Sequence, residues 1–187
     1  FRLALILTRQ QKFQKALPIL RELMSASSDV RFNAALGEAL KGNKEYAEAV
    51  KAFEEIIQVD PDNFSANYML GETLAQLGKH QRAIECFLHL LDLNPPDVDR
   101  RAIETNLALL YQETRQFDKA IELFRAISQE SPRDDMTELR LIYALKEAGH
   151  LTEALDLSAK LWGKYLDKNY GDPVERRYVV VTRAQIL

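Results

Sequence analysis

The sequence has few of the residues that cross-link or interrupt a chain. In 187 residues it holds one cysteine, seven glycines, six prolines and one tryptophan. A single thiol, Cys86, excludes an internal disulfide framework and a cysteine-based zinc site. It fits a reducing compartment, and so a cytoplasmic location, with the periplasm as the alternative. No apolar stretch approaches the ~18 residues that a spanning helix needs, and the run of valines at 179–181 is far too short. No basic run exists, and the net charge is −3 with both signs mixed along the chain. That argues against a nucleic-acid partner. Catalytic signatures are missing as well: there is no phosphate-binding loop, no dinucleotide fingerprint, no zinc-protease helix motif and no serine elbow. The three histidines, His80, His89 and His150, are dispersed without metal spacing. We therefore expect no enzyme activity and no cofactor.

What remains is dominated by Ala, Leu, Glu, Gln, Lys and Arg, the composition of helices. The chain starts without Met, at FRLALILTRQ, and stops at RAQIL, which reads as a piece of a longer protein. Its organising stretch is 33–95, where one pattern occurs twice without a gap. Gly37 falls on Gly71, Ala49 on Ala83, Phe53 on Phe87 and Pro61 on Pro95, each 34 residues apart. A fixed period of this size signals a repeat architecture. Alanines early in each second helix extend it: Ala16, Ala49, Ala83, Ala120 and Ala154, at spacings of 33, 34, 37 and 34. Four residues after each alanine comes Leu20, Phe53, Phe87, Phe124 or, as an exception, Ser158. Twelve before lies Ala4, Gly37, Gly71, Ala108 or, again as an exception, Ile142. Two antiparallel helices approach closely only where both are small, so Gly37 should oppose Ala49, and Gly71 should oppose Ala83. The aromatic one turn on should plug the gap to the next hairpin.

Leu36-Gly37, Tyr46, Ala49, Phe53 and Pro61 form one copy of a motif. Leu70-Gly71, Gly78, Ala83, Phe87 and Pro95 form the next, and Leu107, Tyr111, Phe117, Ala120, Phe124 and Pro132 a third. The motif resembles the tetratricopeptide repeat. The resemblance implies an all-α, right-handed superhelical solenoid of about five antiparallel hairpins. Their bounds are about 1–28, 29–62, 63–97, 98–133 and 134–167. Residues 172–187 would be a capping helix or the first helix of a further, cut repeat. The family's usual tryptophan early in the first helix is replaced by Asn33, Asn67 and Glu104, which suggests polar contact there.

Punctuation refines the helix ends. Gly42, Gly78 and Gly149 should occupy the turns inside hairpins, and Pro61, Pro95, Pro96 and Pro132 the links between them. Asp135 with Glu138 reads as a capping box. Three extra residues near PPDVDRR should lengthen a loop or the start of the next helix. Asn63-Phe64-Ser65 spells a glycosylation sequon in an inter-repeat loop.

The resemblance implies a protein-interaction scaffold that binds a peptide or partner helix on the concave side, along the first helices. The alternative is a substrate-recruiting or assembly region of a larger protein, an enzyme or a secretion or envelope complex. The candidate groove residues are Arg31, Glu38 and Lys41; Tyr68, Met69, Glu72 and Gln76; Asn106; and Arg140 and Tyr143. Glu38 and Glu72 share one repeat position and should sit side by side, favouring a basic ligand. Two family subtypes do not fit. A carboxylate clamp would match at Asn106 and Arg140, but Tyr68 and Glu72 stand where it needs Lys and Asn. An asparagine ladder would have Asn106 beside Ala35, Met69 and Arg140. Self-association through the apolar chain ends is a third reading.

Overall fold

The computed structural model describes residues 1–26, 30–130 and 134–166. Among these residues there is no strand, and the helices are α1 (Arg2–Arg9), α2 (Phe13–Ala26), α3 (Val30–Gly42), α4 (Tyr46–Val59), α5 (Phe64–Gln76), α6 (His80–Asp92), α7 (Asp97–Glu113), α8 (Phe117–Glu130), α9 (Asp135–Ala148) and α10 (Leu151–Leu166). None of them is long and apolar enough to cross a membrane. The helix expected over 172–187 lies outside the described residues. The chain divides into two compact units, Phe1–Ile103 and Glu104–Leu187.

In the first unit α1 packs on α2, α3 on α4 and α5 on α6, while α2 meets α3 and α4 meets α5. First helices also touch one another, α1 with α3 and α3 with α5. In the second unit α9 lies between α8 and α10. This is the all-α arrangement of stacked hairpins characteristic of repeat solenoids.

All five anchor alanines are fully buried, and so are Leu20, Phe53, Phe87 and Phe124. The aromatic rings serve a different contact from the one the sequence suggests. A Cβ built on Gly37 would lie 2.6 Å from the Phe53 ring, and one on Gly71 would lie 3.0 Å from the Phe87 ring. The nearest neighbour of each glycine is thus the ring of its own hairpin, not the anchor alanine. In these two hairpins the glycine leaves room for the outer end of the ring, which an added Cβ would meet. Ile142 and Ser158, the two exceptions to the pattern, are both buried in the fifth hairpin.

The turns inside the hairpins repeat at atomic level. Five residues before each anchor alanine the backbone is left-handed: Gln11 (φ 57°), Lys44 (φ 66°), Gly78 (φ 74°), Arg115 (φ 60°) and Gly149 (φ 87°). The next residue's N–H then reaches back to the last turn. Lys12 donates to the Leu7 carbonyl at 2.8 Å, Glu45 to Leu40 at 2.9 Å and Lys79 to Leu74 at 2.9 Å. Gln116 donates to Tyr111 and His150 to Leu145, both at 2.8 Å. These are Schellman closures, which satisfy carbonyls the helix end leaves open. Gly78 and Gly149 occupy the left-handed site, but Gly42 does not. It ends α3 two residues earlier and lies under the Phe13 ring, and Lys44 adopts the left-handed conformation in its stead.

One further expectation is corrected. The cap of α9 is Asp134, one residue earlier than read, and its carboxylate accepts from the Thr137 N–H at 3.3 Å and the Thr137 hydroxyl at 2.6 Å. Asp135 and Glu138 instead hold the Lys164 ammonium of α10, at 3.3 Å and 3.2 Å. The three inserted residues extend a helix rather than a loop: α7 runs 17 residues against 13 for α3 and α5.

Two stability tests follow. Lys44→Gly should stabilise the chain by about 0.5–1 kcal/mol, because a side chain in the left-handed region is strained, and Gly78→Lys should destabilise it by a similar amount. Urea unfolding midpoints measure both. Gly37→Ala should cost roughly 1–3 kcal/mol through overpacking and more than Gly71→Ala. A smaller partner, Phe53→Leu, should recover part of that loss in the double variant.

Candidate functional site

The side of α3 turned away from its hairpin core carries Arg31, Ala34, Glu38 and Lys41, spaced as one helical stripe. On α5 the corresponding stripe is Ser65, Met69, Glu72 and Gln76. Because α3 and α5 touch, the two stripes meet. Between them opens a cleft of about 180 Å³, lined by Arg31, Ala34 and Glu38 from α3 and by Ser65, Ala66 and Met69 from α5. Phe53 and Ile56 of α4 form its floor and Asn63 its rim. These last three lie on no first-helix stripe, so helical spacing alone does not pick them. Asn63 caps α5: its Oδ1 accepts from the Ala66 N–H and its Nδ2 donates to Asp60, both at 3.0 Å. The sequon thus falls on an amide whose two functions are already in use.

Electrostatics separate the two glutamates that sequence periodicity treats as equivalent. Glu72 accepts a short hydrogen bond from the Lys41 ammonium, which also lies 3.7 Å from the Met69 sulfur. Lys41, one turn beyond Glu38, reaches the next first helix and neutralises that carboxylate. Glu38 is exposed and makes no hydrogen bond or ion pair among the described residues. The expected pair of free carboxylates is therefore one free carboxylate beside one neutralised pair.

Tyr68 is half-buried with its ring edge-on to Phe87, centroids 5.7 Å apart and planes at 77°. Gln76 is exposed. The remaining candidates belong to the second unit. Asn106 is half-buried on α7, and Arg140 and Tyr143 share a stripe of α9 with the exposed Met136. The Lys146 ammonium sits 5.5 Å from the Tyr143 ring, a cation–π contact. Cys86 is half-buried, and burial pushes its thiol above the ordinary range against the opposing pull of Arg82. An unreactive, apolar side chain is what that environment makes of it.

Comparison with known proteins adds the family. Tetratricopeptide repeat models match residues 34–98 and 105–134, together just over half of the chain. Protein KINESIN LIGHT CHAIN-RELATED 1 of Arabidopsis thaliana is 33% identical over 133 residues, covering 59% of this chain. RNA polymerase-associated protein CTR9 of Saccharomyces cerevisiae is 25% identical over 130 residues, covering 70%. The chain spans only 22% and 12% of the length of these two relatives. Among solved structures, MamA from Desulfovibrio magneticus RS-1 superposes with a TM-score of 0.78 at 19% identity, covering 90% of this chain and 94% of that one. That likeness concerns the fold, and it agrees with the stacked hairpins, the buried anchor alanines and the repeated turns described above. The chain belongs to the tetratricopeptide repeat family.

Proposed function

We propose that the chain is a protein-interaction module whose α3–α5 cleft receives a peptide or partner helix bearing a basic side chain. Family membership points to a protein-binding role, and the finer assignment is supported by one observation. A small cleft with an apolar floor, Phe53 and Ile56, has a single unpartnered carboxylate, Glu38, at its edge. An apolar cavity with few placed polar groups is the common form of a binding site. A cationic tip would answer Glu38 in a charge-assisted contact, while Lys41 prevents Glu72 from adding a second negative charge. The same surface would serve equally as the recruiting region of a larger protein.

Fluorescence polarisation tests this with labelled peptides that differ only in a central Arg or Glu. The Arg peptide should bind in the micromolar range, about −8 kcal/mol, and the Glu peptide more weakly. Glu38→Lys should weaken the Arg peptide about tenfold with an unchanged thermal melt. Equal binding of both peptides, or indifference to Glu38→Lys, would remove the reading.

A second reading, self-association, is favoured by α1. Leu3 and Ile6 are 59% and 51% exposed, yet their counterparts one repeat on are packed away. At the position of Leu3 the later repeats carry Leu36, Leu70, Leu107 and Leu141, the first half-buried and the others buried. At that of Ile6 they carry Ala39, Thr73, Leu110 and Ala144, all buried. Sedimentation should then give a mass that rises with concentration, and Leu3→Glu with Ile6→Lys should return it to that of the monomer. A concentration-independent monomer would set this second reading aside.

A further inference from the structure

We propose that the edge formed by the first two hairpin turns is a second binding surface, and that it takes an acidic segment of a partner protein. Gln11, Lys12, Phe13, Gln14 and Lys15 of the α1–α2 turn and Asn43 of the α3–α4 turn line a recess of about 320 Å³ there. The Phe13 ring joins the two turns. It is half-buried, and a Cβ added to Gly42 would stand 2.3 Å from it. Gln11, Lys12, Gln14 and Lys15 are all exposed, so a ligand reaches their polar ends directly. None of these residues lines the α3–α5 cleft, so the two surfaces are separate.

Uncompensated positive charge carries the inference. Arg9, Lys15 and Lys44 are exposed and make no side-chain hydrogen bond or ion pair among the described residues. Lys12 donates to the Gln10 amide oxygen at 2.8 Å, a neutral partner that leaves its charge unanswered. The carboxylates of the same edge are already engaged. Arg21 holds Glu45 at 2.8 Å and Glu48 at 3.0 Å, and Asn43 donates to Glu45 at 2.6 Å. Four cations thus share this edge, and no free carboxylate of the edge answers them.

The chemistry of the edge selects its occupant. Ammonium and guanidinium groups bring donors only, so the ligand must supply acceptors, and anionic acceptors serve them best. The cations are distributed over two turns, so a run of carboxylates answers them better than one does. The amides of Gln11 and Gln14 add neutral donors. The Phe13 ring and the lysine stems give the aliphatic part of a glutamate side chain an apolar surface to lie on. Wide polyanions fit less well. A nucleic-acid duplex or an anionic bilayer would engage much of the chain, whose net charge is −3. A short acidic segment meets only the edge, because exposed charges more than about 8 Å apart are largely screened at physiological salt.

The test is fluorescence polarisation of the full chain with labelled Ac-Gly-Glu-Glu-Glu-Glu-Gly-NH2 and with its glutamine counterpart, which keeps the shape and lacks the charge. The glutamyl peptide should bind saturably, and the glutaminyl peptide about tenfold more weakly or not at all. Lys12→Ala with Lys15→Ala should weaken the glutamyl peptide about tenfold and leave the thermal melt unchanged, since both side chains are exposed. Lys51→Ala with Lys160→Ala removes the same charge from exposed sites elsewhere, and should change binding less than about twofold. Glu38→Gln should leave glutamyl binding unchanged, which keeps this test apart from that of the α3–α5 cleft. Absence of saturable binding, equal binding of the two peptides, or equal losses in the two double variants would overturn the proposal. So would tighter binding of a thymidine oligonucleotide of similar length, or of vesicles made of phosphatidylcholine and phosphatidylserine, because the edge would then serve phosphates.

Discussion

Each hairpin depends on a bulky side chain of its second helix meeting a reduced side chain on its first. Phe53 lies on Gly37 and Phe87 on Gly71, so closely that a single added carbon would collide or nearly so. The anchor alanine one turn earlier is fully buried as well, which lets the two helices approach. The fifth hairpin solves the same problem in reverse. Its first helix brings Ile142 and its second helix Ser158, both buried, so the large partner has changed sides. The total volume is kept while the shape is exchanged, the kind of swap that cores tolerate.

Once this contact sets the rotation of the first helix, its remaining faces have fixed fates. On α3 one face is turned into the hairpin, one stripe meets α5 and one side faces a crevice between α2 and α4. The cleft and the crevice are consequences of that orientation. So is the row of ion pairs between successive second helices, Arg21 with Glu48, Glu54 with Arg82 and Arg125 with Glu153. At these three junctions the residue five after one anchor alanine meets the residue just before the next. These pairs are exposed and contribute little to stability. Their sign reverses at the α4–α6 junction, where the second helix that follows supplies the cation.

Hairpin order, the buried anchors and the family were legible in the sequence because they depend on spacing, and spacing survives without coordinates. Turn chemistry was only half legible. Gly78 and Gly149 occupy the left-handed site, but Lys44 and Arg115 do so equally, because the Schellman bonds and the buried Leu40 and Tyr111 hold the turn whatever residue stands there. Gly42 misled for the same reason: it answers the Phe13 ring, a contact far away in sequence. Side-chain pairing was not legible at all. Periodicity put Glu38 and Glu72 in one class, but the reach of Lys41 across to α5 decides which of them stays free. Likewise, an acidic residue soon after Pro132 suggests a cap, yet whether Asp134 or Asp135 serves depends on where α10 presents Lys164.

Asn33 and Asn67 show how equivalent positions of a periodic scaffold come to differ. They stand at the same repeat position, carry the same side chain and are equally buried, at 6% and 5% exposure. Asn67 faces the carbonyls of a turn closed by Pro61 and Asn63, and its Nδ2 is absorbed there. Asn33 instead meets Glu55 on the neighbouring second helix, and its Nδ2 is drawn to the carboxylate. That leaves Oδ1 facing away from any donor. The difference comes from one residue 22 positions downstream, Glu55 in one repeat and His89 in the next. Packing constrains the alanines, glycines and rings almost completely, so they carry the period. The residues at the edges of the clefts are constrained only to be compatible with water, so they are where neighbouring repeats can differ. Glu38, exposed at the edge of the α3–α5 cleft while its counterpart Glu72 is held by Lys41, is such a residue, so neighbouring repeats of one stack present different chemistry.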